Sequence, residues 1–237
     1  MNVRERVWGA GSGRQTSFAE VRSWGGPRAG SGPKAAARAN VRHRVRPEHR
    51  AYQPVHVTLR RAKGLPSLRS ERLVKAIEEA VRETRREDFR LVEYSVQRDH
   101  VHMLVEADDG AALSAGMKSF AVRVARRING LLRRRGSVWG DRYHRRDLVS
   151  PRDVRNAIVY VMNNHLKHHE WDAGLIDECS SARWFTGWMH APEPAATPPP
   201  VERARTWLLR RGWHDDIRFL NRGELPRALR EPTRLID

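Results

Sequence analysis

The chain has 237 residues, with 45 Lys+Arg against 28 Asp+Glu, a formal net charge of +17 and a pI near 11.3. That length allows one compact domain with appendages, and a charge carried mostly by arginine points to a polyanionic partner, nucleic acid first. A single cysteine, Cys179, excludes an internal disulfide and any multi-cysteine zinc site. No apolar run approaches the roughly 20 residues of a spanning helix, and the N-terminus lacks the apolar stretch of a signal peptide. The expectation is a cytoplasmic, nucleoid-associated protein with no membrane partner.

Residues 1–50 read as a basic flexible arm. They hold 11 Lys+Arg and 3 Asp+Glu, about +8, and pieces such as Gly25-Gly26-Pro27-Arg28 show no hydrophobic period. A domain is expected over 51–170. Pro54 to Arg60 alternates as a strand does. Ser70 to Arg86 spaces Leu73, Val74, Ile77, Ala80 and Val81 as a helix does. Phe89–Gln97 and His100–Ala107 read as two strands joined by an Arg98-Asp99 turn. Ala111 to Arg135 carries the helical stripe Leu113, Met117, Phe120, Val124 and Ile128. Tyr143 to Val149 is a weaker strand. Ser150-Pro151-Arg152-Asp153 then opens a helix to about His168, with Ser as cap, Pro in the first turn and Asp three residues on.

The order β-α-β-β-α-β-α fits an α+β fold: a ferredoxin-like antiparallel sheet with helices on one face and the other face open to a ligand. Residues 171–237 form a Trp-rich extension with a Pro-rich linker at 192–200 and one short helix expected within 200–212. Docking of Trp184, Phe185, Trp188, Trp207 and Trp213 on the core is weighed against base stacking by some of them, docking being favoured.

Two histidines, His100 and His102, stand two apart on a strand and so share a face, while Val101, Met103 and Val105 point to the helices. Neutral imidazoles placed so can bind one divalent metal. The pair alone is a weak motif in a chain with 11 His, and two plain surface histidines are the competing reading. On the last helix, Val154, Ala157, Ile158, Val161, Met162 and His165 form the apolar side. Tyr160 lies roughly 130° from its centre, and Asn164 is one turn further on. Tyr160 is therefore no obvious core tyrosine, although a boundary tyrosine packing on the sheet would look similar. Tyr143 is the alternative nucleophile but lacks an Asn partner. His56 is read either as a supporting side chain behind the histidine pair or as purely structural. Asp99 and Glu106 read by default as turn and strand-end residues. The arginines Arg123, Arg126, Arg127, Arg133 and Arg134 are expected to contact phosphates, against a plain solvated helix face.

The segment Gln97-Arg98-Asp99-His100-Val101-His102-Met103-Leu104-Val105-Glu106-Ala107 resembles the His-hydrophobic-His strand of the single-tyrosine HUH transposases. Tyr160-Val161-Met162-Asn163-Asn164-His165-Leu166-Lys167-His168 is similar to their tyrosine helix, and Pro54–Arg60 to their first strand. The REP-associated tyrosine transposase branch is the nearest in pattern, the piece Ala204–Arg210 included; Asp99 stands where relatives often have Asn. The resemblance covers residues 54–168 and implies a metal-dependent transposase or nuclease. In it Tyr160 is the nucleophile, His100, His102 and Asn164 hold Mg or Mn, and single-stranded or hairpin DNA is cut and rejoined through a 5′-phosphotyrosine. A homodimer is among the expected assemblies. A non-catalytic nucleic-acid-binding module is the alternative; no aromatic pair on the central strands supplies the stacking platform it would need.

Overall fold

A computed structural model of the chain describes residues 48–167, 176–193, 195–214 and 219–226. The basic arm up to residue 47, His168 and the end of the chain lie outside the described residues. In chain order the main elements are β1 (Val55–Arg60), α1 (Glu71–Glu83), β2 (Phe89–Val96), β3 (His100–Ala107), α2 (Gly110–Leu131), β4 (His144–Asp147) and α3 (Pro151–Asn163).

The four strands form one sheet in the order β2-β3-β1-β4, antiparallel at every junction. This is the ferredoxin-like arrangement expected from the element order. The β2–β3 hairpin closes over Arg98-Asp99, with Gln97 N–H donating to His100 C=O at 2.8 Å. In β2 the register shifts between Leu91 and Glu93. The intervening Val92 is an extra residue; it joins the core on the face opposite to that of Leu91, and the shift sets Glu93 across from Leu104 of that same core.

Strand alternation builds two cores. Val55, Val57, Leu59, Val101, Met103 and Val105 point to one face and pack against α1 and α2. Leu104 and Val92 point to the other face and meet α3 and the aromatic residues of the C-terminal extension. Thus α1 and α2 share a face as expected, whereas α3 lies across the sheet from them. The reason is burial. Val154, Ala157, Ile158, Val161 and Met162 need an apolar seat, and the first face is already filled by two helices. The second face is therefore open only where α3 and the extension stop.

Local capping agrees with the sequence pattern. Ser150 Oγ accepts from Asp153 N–H at 3.1 Å and donates to Asp153 Oδ2 at 2.7 Å, which starts α3 directly after β4. The helix ends at Asn163, earlier than expected, and a 3₁₀ turn over Asn164–Lys167 follows.

The described part of the extension docks on the second face and on the β2 edge. Val96 N–H donates to Cys179 C=O at 2.8 Å, and Glu202 N–H to Leu91 C=O at 3.0 Å, so edge backbone groups of β2 are covered. Arg69 holds Asp177 through two hydrogen bonds, 3.0 and 2.8 Å. Trp188, Trp213 and Phe185 are buried with α3, as docking requires, while Trp207 is exposed. The short helix of this segment is confined to a single turn, Leu208–Gly212. Among the described residues no helix is long and apolar enough to cross a membrane.

Candidate functional site

The open part of the second face is a cavity of about 410 Å³ lined by Thr58, Arg60, His100, His102, Asp141, Arg142, His144 and Tyr160. Its floor follows from strand register. Thr58 on β1 faces His102 on β3 and His144 on β4, and Arg60 faces His100. Directly opposed residues share a face, so these side chains form adjacent rows on the sheet. Two residues further along, Leu104 lies in the α3 core, and that helix forms one wall of the cavity through Tyr160.

His100 and His102 turn their Nε2 atoms toward each other, 2.7 Å apart. Their Nδ1 atoms are engaged from behind. His100 Nδ1 lies 2.6 Å from Asp99 Oδ1. His102 Nδ1 lies 3.1 Å from Thr58 Oγ1 and 3.2 Å from His56 Nε2. When Nδ1 carries the proton and gives it to such an acceptor, Nε2 presents a lone pair, the form a metal needs. Burial opposes ionisation of Asp99, but the hydrogen bond with His100 and the charges of His100, Arg60 and Arg61 hold its carboxyl below the usual value. Burial, followed by the charges of Arg146, His144 and His100, pushes the pKa of His56 down to about 3, so this ring is neutral.

Tyr160 is half-buried and stands edge-on to two of these rings. Its ring centroid is 4.9 Å from that of His102 and 5.8 Å from that of His56. Burial raises the pKa of its phenol. Arg60 and Arg142 are the cationic side chains on the cavity wall.

The structure thus brings together His100, His102, Tyr160 and, behind them, His56. Asn164 follows Tyr160 by one turn in helical backbone conformation, φ −62° and ψ −26°; it is buried and is not one of the cavity-lining residues. Among the described residues no group of three or more His, Cys, Asp or Glu is arranged to hold a metal. The two-histidine set fits a shared cation in the convergence of its Nε2 atoms and needs a ligand of another type to complete it.

Arg123 and Arg127 are elsewhere. They belong to α2, on the far side of the sheet, and pair with Glu83 at 3.4 and 2.5 Å. Arg134 is tied to Asn129 Oδ1 and Ser137 C=O, Arg133 stands just beyond the end of α2 in the left-handed region at φ 47°, and Arg126 is exposed on α2. Tyr143 packs against the first core, and the buried ring nitrogens of His165 have no hydrogen-bond partner among the described residues. The sequence reading missed Thr58, Arg60, Asp141, Arg142 and His144. His144 could have been found only from the pairing of β4 with β1, since nothing in its own neighbourhood marks it.

Residues 48–164 match the family described as "Transposase IS200 like". No curated protein matches the chain. Among solved structures one similar chain is titled "Structure of the REP associates tyrosine transposase bound to a REP hairpin". It is 15% identical, covers 54% of this chain and 74% of its own, and superposes with a TM-score of 0.44. Residues 48–164, which hold the whole histidine–tyrosine constellation, are the part of the chain that matches the IS200-like transposase family.

Proposed function

We propose that the chain is a metal-dependent, single-tyrosine HUH DNA strand transferase of the REP-associated type, which cuts and rejoins single-stranded or hairpin DNA. The observation that carries this reading is the meeting of Tyr160 with the converged Nε2 atoms of His100 and His102 in one arginine-lined cavity. His100 and His102 would hold Mg or Mn, with Asn164 as the third ligand because it continues the helical path one turn beyond Tyr160. When bound, that cation supplies Lewis-acid polarisation of the scissile phosphate.

The residues do the rest. Arg60 and Arg142 seat the phosphate and favour the phenolate of Tyr160, offsetting the rise that burial imposes on its pKa. Tyr160 loses its proton to solvent, its oxygen bonds to phosphorus, the P–O3′ bond breaks and the 3′ oxygen takes up a proton. The product is a 5′-phosphotyrosine beside a free 3′-OH. Attack of a 3′-OH on that ester reverses the step and returns the phenol, so rejoining needs no nucleotide cofactor.

The test is a cleavage assay with labelled single-stranded hairpin DNA and Mn²⁺ or Mg²⁺, resolved on a denaturing gel. The expected outcome is a covalent protein–DNA adduct that needs metal, forms faster as pH rises from 7 to 9, and is lost in Tyr160→Phe and His102→Ala. Binding without an adduct across a panel of structured DNAs would establish the non-catalytic binding module instead. An adduct that survives Tyr160→Phe would transfer the nucleophile to Tyr143.

A further inference from the structure

We infer that Trp207 and the exposed arginines around it form a second DNA-binding surface, a stacking step for a single-stranded base next to a phosphate track. The inference rests on the proposed DNA-cleaving function but concerns a part of the chain outside the family match, which ends at residue 164.

From Arg203 to Trp207 the exposure alternates, and Trp207, with φ −56° and ψ −40°, opens the helical turn that follows. Arg203, Arg205 and Trp207 are exposed, while Ala204 and Thr206 turn inward. Two guanidinium groups and an indole are thus exposed side by side in this short segment. Arg210 and Arg211, on the turn that follows, are exposed as well. None of these four arginines forms a salt bridge with another described residue, in contrast to Arg69, Arg127 and Arg155.

The segment is anchored to β3. The buried Glu106 carboxylate accepts from Arg205 N–H at 2.8 Å, Thr206 N–H at 2.9 Å and Thr206 Oγ at 2.7 Å. Leu208 and Leu209 anchor the next turn in the second core. The six-membered ring of Trp207 rests against Gly212, where an added Cβ would come within 2.5 Å of Cζ3 and 2.8 Å of Cε3. The indole is therefore supported on one side, yet it remains 64% exposed, while Trp188 and Trp213 of the same extension are buried. A solvent-facing indole near exposed guanidinium groups suits an unstacked base and its flanking phosphates. Paired duplex offers only its terminal bases to such a ring.

The experiment uses the full chain in a Tyr160→Phe background, so that nothing is cleaved, and compares Trp207→Ala, Trp207→Phe and Arg210→Gln/Arg211→Gln. Affinity for a single-stranded 20-mer carrying 2-aminopurine is measured against salt, beside a blunt duplex and an RNA of the same sequence. Thermal melts confirm that the exposed substitutions leave the fold intact. Trp207→Ala is expected to weaken single-strand binding about 5- to 150-fold, to abolish 2-aminopurine quenching and to leave the salt slope unchanged. Trp207→Phe should retain most of the affinity. The double arginine variant should reduce the salt slope by about 1.4. Unchanged affinity in Trp207→Ala, an equal loss for blunt duplex, or a larger loss for RNA than for DNA would overturn the inference. If Trp207-dependent binding is found but the wild-type chain yields no adduct, the cleavage reading falls and this surface stands. If an adduct forms and Trp207→Ala binds normally, the reverse holds.

Discussion

Asp99 precedes the histidine pair, and its carboxylate lies 2.6 Å from His100 Nδ1. By composition it is an ordinary turn residue of a two-residue hairpin; the contact makes it the group that aims the His100 ring. Removing such a supporting carboxylate typically costs 10- to 100-fold in metal affinity. Asp99→Ala is expected to weaken Mn²⁺ binding by about that factor, measured by electron paramagnetic resonance titration, with adduct formation rescued at higher Mn²⁺. Loss that no metal concentration restores would place the effect elsewhere. Glu93 is a second case. Burial pushes its carboxyl up to about 8, against a usual 4.5, although the hydrogen bond from Ser181 pulls it down. The folded state binds the proton more tightly than the unfolded chain does. This contribution to stability is therefore complete below about pH 4.5 and is lost as pH rises through 8. Glu93→Gln should remove that loss, so urea melts at pH 5 and pH 8 should differ less for the variant than for the wild type. For His100, His102 and Tyr160 spacing left the plain surface and boundary readings open, and the family resemblance singled them out; the Asp99 and Thr58 contacts were not legible, because hydrogen-bond partners depend on turn geometry and strand register.

At the scale of elements, the alternation of β3 and the stripe of α2 were readable because each is a one-dimensional period imposed by burial on a single face. The helix α2 also shows what a period leaves out. Gly116 sits inside it, and a Cβ there would overlap the ring of Phe89 on β2. Alanine has the better helix propensity, by about 1 kcal/mol. Gly116→Ala is nonetheless expected to destabilise by about 1–3 kcal/mol, because a fully buried Phe89 has no room to move. Chemical denaturation measures this, and a stabilised variant would show that the helix and strand can separate at no cost. The placement of α3 was not readable. Its stripe demanded an apolar seat without saying which face supplied one, and the choice of the second face is what brings Tyr160 onto His102.

At the scale of the whole molecule, the C-terminal extension is part of the fold that surrounds the site. It covers the β2 edge, and it fills the second face beside α3 with Trp188, Trp213 and Phe185. Glu106, read from the sequence as a strand end, is the buried acceptor that pins residues 205 and 206. Glu106→Ala leaves two backbone N–H groups and a hydroxyl without this acceptor, at a cost of about 1–3 kcal/mol. Hydrogen exchange should then rise over residues 203–213 while α1 and α2 stay protected. Uniform loss of protection across the chain would mean that the extension and the sheet unfold as one unit.

The sequence by itself determined the order of strands and helices, the basic character of the chain and the histidine and tyrosine residues of the candidate site. Burial periodicity, charge and local spacing are all written along one dimension. Tertiary structure alone decided which sheet face receives α3, which side chains stand behind the histidines, and that His144 and Arg142 join the cavity while Arg123 and Arg127 do not. Each of these depends on register and packing between segments that are distant in the chain, and no local pattern records such relations.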